Sequence, residues 1–486
     1  MASHKVGGYV SRLAECYSAR WKALMPSLSQ SIVLTLVLSS AAISAEQPVA
    51  ADDALRKQVA ELTAALHGLE ARVNDLEAKR SDGQSPAPPA QPGPEPLAPA
   101  QVANTAPQAA SPSPLDILRA TTVNVALDGY YAWNFNKPLG RVNLLRAFDV
   151  SSNAFSLNQA NLVLENAPDP AHGKRFGVRL DFQYGQATAT LQGNAASEPR
   201  PDIYRNVFQA YGTYVAPVGG GLTVDFGKWA SSIGIEGNYT KDQLNYSRSF
   251  WFDYLPFYHE GARVNYKVND RLSLNYWITN GTQQTEPTNG FKDELFGFVL
   301  QPSKNISWTA NYYFGQEHPD FQYVTAGAPG SPTQQGTPFE PITNAPSVKL
   351  HIFDSYVSGN ITPKLSFAVE GDYVVERLLT TSAPDHTSGG ALYGRYQLTP
   401  RWAIAARTEY FSDRGGLFTG ATQSLKEATL TFEQKLAEGL LLREEWRTDA
   451  SNHAYFLTDR LGVLRRQQNT ATLGVVWWFG AKQGIW

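Results

Sequence analysis

The sequence predicts an all-β protein: an antiparallel transmembrane β-barrel of about 16 strands, within a range of about 14 to 18, preceded by an N-terminal α-helical coiled coil and a Pro-rich linker. Three observations predict it. From residue 121 onward, apolar and polar side chains alternate with period two in one stretch after another. Short and long connections take turns between those stretches. No apolar run reaches the roughly 18–20 residues that a transmembrane helix needs, so a chain that crosses a membrane must do so with strands.

Composition agrees with this class. Aromatic residues make up 12% of the 486, and 39 glycines with 30 prolines suit a β-rich chain with many turns. A formal charge of -3 and a pI near 6.3 offer neither a nucleic-acid footprint nor an acidic tail.

Residues 1–45 read as an export signal. Arg12, Arg20 and Lys22 precede the apolar segment SIVLTLVLSSAAISA (31–45), which ends in small residues and places cleavage after Ala45 or a residue or two earlier. Met25 offers an alternative start, which would remove the basic residues. The single cysteine, Cys16, falls in the removed segment, so the mature chain is expected to carry no disulfide and no thiolate chemistry.

Residues 46–80 read as a coiled-coil stalk. Leu55, Val59, Leu62, Leu66, Leu69, Val73 and Leu76 follow one another at spacings of four and three. With Val59, Leu66 and Val73 at a and the four leucines at d, each helix buries one stripe against a partner helix, and Arg72 can pair with Glu77 of a neighbour. An oligomer follows, and valine mixed with leucine at a leaves two and three strands both open. Residues 81–120 read as a linker, with ten of the chain's prolines between 86 and 114 and too few large apolar groups to fold. An extended Pro-rich stretch spans up to about 3.1 Å per residue, so it acts as a spacer.

Residues 121–486 read as the barrel. In VNVALDGYYAWNF (123–135), Val123, Val125, Leu127, Tyr131, Trp133 and Phe135 share one parity, while Asn124, Asp128 and Asn134 share the other. FGVRLDFQY (176–184), GARVNYKV (261–268), LSLNYWITNG (272–281), ISWTANYYFG (306–315), LSFAVEGDYVV (365–375) and WAIAARTEYF (402–411) behave alike. Short joins occur at 167–174, 218–221, 269–270, 302–305, 362–364, 399–401 and 437–439. Long ones lie near 136–155, 186–205, 231–260, 282–292, 316–346, 378–388, 413–424 and 452–467. Short turns on one side and long loops on the other are the layout of outer-membrane barrels, with short turns in the periplasm. The apolar parity is then expected to face lipid, with Tyr131, Trp133, Phe135, Tyr184, Tyr313 and Phe314 in interfacial girdles, and the polar parity to line a wet interior. TATLGVVWWF (470–479) alternates up to an aromatic close and resembles the assembly signal of bacterial outer-membrane barrels, although GAKQGIW follows it.

The blocks DGYYAWNFNKP (128–138), LTVDFGKW (222–229), NYSRSFWFDYLPFYHEGARV (245–264) and LNYWITNG (274–281) resemble the OmpL-like beta-barrel porins. The resemblance covers roughly 121–479 and implies a bacterial outer-membrane channel for small hydrophilic solutes or ions, with no cofactor and no catalytic residues.

Chemistry motifs point the same way. His259–Glu260 lacks the second helical histidine of a metalloprotease, eight scattered histidines with no mature cysteine make no metal site, and neither a Walker loop nor a nucleophile elbow is present. Two rival functions stay open: an envelope tether whose barrel is only an anchor, and an outer-membrane enzyme using a serine with a barrel His and Asn. Outer-membrane lipid is one expected partner, further copies of the chain in a homo-oligomer, a trimer first, are another, and peptidoglycan is a third through the stalk. The stalk lies in the periplasm on this scheme.

The third long connection is the expected constriction. It supplies Glu236, Lys241, Asp242, Arg248, Asp253, His259 and Glu260 together with Trp251, Phe252, Tyr254, Phe257 and Tyr258, more rings than a loop leaves in water. Arg248 is the leading candidate for ion preference. Further pore-lining candidates are Arg179, Asp181, Arg263, Lys267, Glu370, Asp372, Arg407, Glu409, Arg443 and Arg447, for which ordinary wall-to-wall ion pairs are the alternative. From 121 onward there are 31 basic and 33 acidic residues, a difference of -2 that favours neither ion sign.

Overall fold

The computed structural model describes residues 120–192, 198, 200–318, 320–323, 339–341, 349–377, 383–482 and 486. The expected signal, coiled coil and nearly all of the linker lie outside the described residues. Sixteen antiparallel strands close into one barrel. They are β1 (Thr122–Asn134), β2 (Ala154–Asn166), β3 (Phe176–Tyr184), β4 (Val207–Ala216), β5 (Leu222–Ala230), β6 (Tyr258–Lys267), β7 (Leu272–Thr279), β8 (Asp293–Ser303), β9 (Ile306–Gly315), β12 (Leu350–Thr362), β13 (Leu365–Glu376), β14 (Asp385–Thr399), β15 (Trp402–Arg414), β16 (Gln423–Ala437), β17 (Leu440–Ser451) and β20 (Gln467–Gly480). Two small hairpins sit in loops, β10 (Phe321–Tyr323) with β11 (Phe339–Pro341) and β18 (Phe456–Leu457) with β19 (Leu464–Arg465). Each barrel strand pairs with its neighbours in sequence, and β20 returns to β1 in register from Asn134↔Thr470 to Asn124↔Gly480. Closure satisfies every strand's backbone groups within the sheet, which is what a hydrocarbon surround demands.

The alternation sorts the two faces as expected. Along β1 the apolar parity is the exposed one, with Val123 51% exposed, while Asn124, Asp128 and Asn134 are buried inside. Phe176, Val178, Phe226, Leu430, Leu473, Val475 and Trp477 likewise point outward. Outward aromatic pairs gather at both rims: Tyr131 with Phe155 (4.9 Å) and Tyr312 with Phe353 (4.7 Å) near the loops, and Phe176 with Tyr214 (4.7 Å) and Trp402 with Phe432 (4.8 Å) near the turns. Tyr313 departs from the expected girdle. It faces inward, fully buried, and donates to Asp293 Oδ2 at 2.6 Å. Parity decides this: Ile306, Trp308, Tyr312 and Phe314 already occupy the outward face of β9.

Most of the polar parity is also buried rather than wet, because the third loop fills part of the interior. That loop runs over 231–257, since Tyr258, His259 and Glu260 pair with Ala230, Trp229 and Lys228 as the start of β6. The main apolar core lies inside the barrel, where Ile233, Phe250, Trp251 and Leu255 of the loop pack on Leu295, Ile352, Val374, Phe411 and Leu425 of the wall.

Candidate functional site

The third loop descends from β5 along the wall of β9, β12 and β13. Ser232 O accepts from Asn311 Nδ2 at 3.2 Å. The main-chain N–H of Gly234 donates to Asp354 Oδ1 at 3.1 Å and that of Ile235 to Glu370 Oε1 at 2.8 Å. Glu236 then meets Arg407 at 2.9 Å and accepts from Ser249 N at 2.6 Å, which joins the two limbs of the loop.

The loop next crosses to the opposite wall. Asn238 bonds Gln159 and Gln183, and Tyr239 donates to Asp181. Thr240 Oγ1 and Tyr246 OH each donate to Asp128 at 2.5 Å. Gly474 leaves the space that the Tyr246 ring fills, since a Cβ there would strike it. Arg443 donates to the carbonyls of Thr240 (2.7 Å) and Gln243 (2.6 Å), and Glu445 accepts from the main-chain N–H of Tyr246 (2.6 Å) and Ser247 (3.0 Å). Backbone groups that a loop would otherwise present to water are thus answered by charged wall residues, and such bonds are stronger than neutral ones.

The return limb is a short helix, Phe250–Tyr254, capped by Ser249 Oγ, which accepts from Phe252 N. Phe250 N donates to Glu409 at 2.8 Å. Trp251 lies 4.6 Å from Phe411 and Tyr254 5.0 Å from Phe418, so the rings that the composition singled out seat the loop inside the wall. The two limbs enclose a cavity of about 40 Å³ whose lining includes Ile233, Glu236, Asn238, Leu255, Phe257 and Glu370.

The structure divides the sequence candidates. Glu236, Arg407, Glu409, Arg443, Arg447, Glu370, Asp181 and Arg179 all engage the loop or its direct partners. Arg179 bonds Asp181 at 3.1 Å and Tyr239 OH at 3.3 Å, and Arg447 donates to Arg248 O. Arg248 is 1% exposed and faces no open water. Its guanidinium donates to the carbonyls of Gly237 (3.0 Å), Tyr246 (2.8 Å) and Asn238 (3.0 Å) and lies 4.3 Å from the centre of the Phe148 ring. Burial pulls it down to about 10, so it is still a cation at neutral pH. It staples the loop's own turn, and reversing its charge would dismantle that turn before it altered any field in a pore.

Asp253 is half-buried in the return limb, where burial pushes its carboxyl up to about 7. Lys241 pairs with Asp242 at 2.6 Å and covers the Trp486 ring at 4.5 Å. His259 is a strand residue, buried between Ser231 Oγ (3.1 Å) and Gly281 O (3.3 Å), and Glu260 beside it faces Lys228 across the β5–β6 ladder. Lys267 stands at the short β6–β7 turn, paired with the exposed Asp270 at 2.8 Å, away from the loop.

On β5–β8 the inward residues nearer the loop, among them Trp229, His259, Trp277 and Leu295, are buried, while those toward the short turns of β6 and β7 are partly exposed. Arg263 pairs with Asp225 at 2.7 Å with its side chain 24% exposed, and Asn265 bonds Asn275 at 2.6 Å beside it. Sequence reasoning missed Asp128, Glu445, Asp354 and Trp486. The first three carried the signal of an acid on the inward parity, but only the loop's path shows what each one holds. Trp486 follows β20, yet its ring packs under the loop at 5.8 Å from that of Tyr239 and its main-chain N–H donates to Asp242 Oδ2 at 3.1 Å.

The family described as "Putative beta-barrel porin-2, OmpL-like" matches residues 120–479. No curated protein matches the chain. Among solved structures, the chain is similar to the outer membrane channel DcaP of Acinetobacter baumannii (10% identity, 74% of this chain and 97% of that one, TM-score 0.48). It is also similar to an anion-selective porin from Comamonas acidovorans (8%, 74% and 99%, 0.48) and to OprB of Pseudomonas putida (13%, 75% and 96%, 0.47). Matched over most of its length and closed into a sixteen-stranded barrel, the chain belongs to the OmpL-like beta-barrel porin-2 family.

Proposed function

We propose that the protein is a passive diffusion channel of the outer membrane for small hydrophilic solutes or ions, narrowed by residues 231–257. The observation that carries this function is the loop laid across the interior with a partly exposed polar wall below it, formed by Arg263, Asn265 and Asn275, with Asp225 buried behind Arg263. Ion preference then rests with the Asp225–Arg263 pair and not with Arg248. Charges in a narrow, poorly screened passage dominate selectivity. The mechanism involves no covalent step. The heptad seam supports an oligomer, a trimer or a dimer, with the stalk in the periplasm.

Planar-bilayer recording of the purified protein is the test. Discrete steps that scale with bulk conductivity, together with a reversal potential moved toward cations in Arg263→Gln, support a channel. Protein that inserts folded and passes no current overturns it. A second function, an envelope tether with the barrel as anchor and peptidoglycan as the stalk's partner, is favoured by one observation: against β1 and β15–β17 the interior is fully packed, with Arg407, Arg443, Arg447 and Asp449 at most 2% exposed. A currentless protein that still sediments with cell wall through residues 46–80 would establish that alternative.

A further inference from the structure

Three acids on the interior wall have no base to answer them. Asp354 of β12 and Glu370 and Asp372 of β13 offer carboxylate oxygens that all lie within 4.8 Å of one another, and the residues are 2%, 4% and 5% exposed. Asp354 and Asp372 stand directly opposite in register, where like charges repel. Elsewhere on the wall acids are answered by a base, as Asp225 by Arg263 or Asp449 by Arg146, or by several donors, as Asp128 and Glu445 are. None of the ion pairs among the described residues involves these three.

Two of the acids are oriented from outside the cluster. Asp354 accepts from Gly234 N and from Asn311 Nδ2 at 2.7 Å, and Glu370 accepts from Ile235 N and from Tyr393 OH at 3.0 Å. Asp372, only 5% exposed, receives no hydrogen bond from any nitrogen or hydroxyl, and its polar neighbour is the carboxyl of Asp354. Across from it on β14 stands Gly389, which has no side chain to offer. A buried carboxylate without a donor is costly unless something neutralises it.

We propose that Asp354, Glu370 and Asp372 form a divalent-cation site, and that the bound ion fastens the descending limb of the loop to β12 and β13. An all-carboxylate set selects a hard cation over zinc or copper. Oxygens that all lie within 4.8 Å of one another can share one ion, and calcium, which tolerates irregular oxygen shells, suits an arrangement fixed by two strands better than magnesium, which demands a near-ideal octahedron. Gly234, Ile235, Asn311 and Tyr393 play the outer part, fixing the carboxylates as second partners do around metals. Glu370 and Gly234 also line the cavity between the limbs, which leaves room for water ligands.

Terbium substitutes for calcium and is excited through a neighbouring phenol, here Tyr393. Protein in detergent is stripped with EDTA and titrated with Tb³⁺. The expected result is saturable emission at one equivalent per chain, reversed by Ca²⁺, with affinity lowered at least about tenfold in Asp372→Asn and in Glu370→Gln. Cold and boiled electrophoretic mobility verifies that both variants fold. Ca²⁺ should also raise the unfolding temperature of the wild type, and Mg²⁺ should raise it less, a comparison that needs no variant. Emission that Ca²⁺ does not displace, equal titration of the folded variants, or no thermal shift with Ca²⁺ would each overturn the site. These readouts involve no current, so their failure leaves the channel function standing.

Discussion

Replacing Arg407 by methionine isolates what keeps the third loop across the interior. One guanidinium nitrogen of Arg407 donates to Glu236 Oε1 and Ser247 O, both at 2.9 Å, and another donates to Arg248 O and Ser247 Oγ, both at 3.1 Å. Glu427 lies at 3.3 Å. The variant leaves Glu236 and Glu427 buried without this cation, and breaking a buried pair costs about 3–5 kcal/mol. Only part of the cost falls on the loop, because four of the seven lost side-chain hydrogen bonds go to residues 236–248 and three go to Glu427 and Thr429 of the wall, whereas the ladder of Arg407 with Tyr393 and Thr429 is main chain and survives. At about 1.4 kcal/mol per factor of ten, the seated fraction of the loop falls by at most about two to three and a half orders of magnitude relative to the unseated one, and by about half of that on a logarithmic scale if the loss is shared evenly over the bonds. Bilayer recordings should show a second, larger and long-lived conductance level, and protease should cut within 231–257. Arg407→Lys, which keeps the charge but not the planar fork, should fall between. A folded Arg407→Met with wild-type conductance, no added level and an unchanged digest would refute the loop as the movable constriction.

Four further outcomes are expected. Leu180→Arg on the outward face of β3 should cost about 2–4 kcal/mol near the bilayer midplane in urea titrations of refolded barrel, while Leu180→Phe costs little; equal losses would assign the face wrongly. Because Asp253 is raised from 3.8 to about 7, its contribution to loop stability is fully present below about pH 4 and is lost as pH rises through about 7. Protection of the amides in 250–257, after division by the intrinsic base-catalysed exchange rate, should therefore fall over that window in the wild type and stay flat in Asp253→Asn, and an identical slope in both would point to another group. Trp486→Ala should free Tyr239 and Lys241 and increase labelling of Lys241 by an amine reagent, and unchanged labelling would show the tail to be passive. Leu62→Asp with Leu69→Asp should lower the mass seen by sedimentation in detergent, through charge at d positions, and a mass equal to the wild type's would remove the seam from the account of assembly.

The barrel was legible in the sequence because strand alternation is local. Which face Val123 or Asn124 occupies depends on its immediate neighbours, and membrane and interior impose opposite demands on successive residues. The order of turns and loops could be counted in the same way, and the count singled out 231–260. Where three rings run together, as in Tyr312-Tyr313-Phe314, hydrophobicity no longer distinguishes the faces, and the pairing of Tyr313 with Leu295 and Ile352 decided that it points inward. The roles inside the barrel were not legible, since they are closures between distant residues. Asp128 holds Thr240 and Tyr246, Glu445 holds Tyr246 and Ser247, and Arg248, a charge in a promising loop, spends its donors on the loop's own carbonyls. The sequence by itself determined the sheet, its faces and the rank of the loop. Only the tertiary structure decided which charges lie beside water and which are consumed by backbone, because that depends on the path of one loop through the interior.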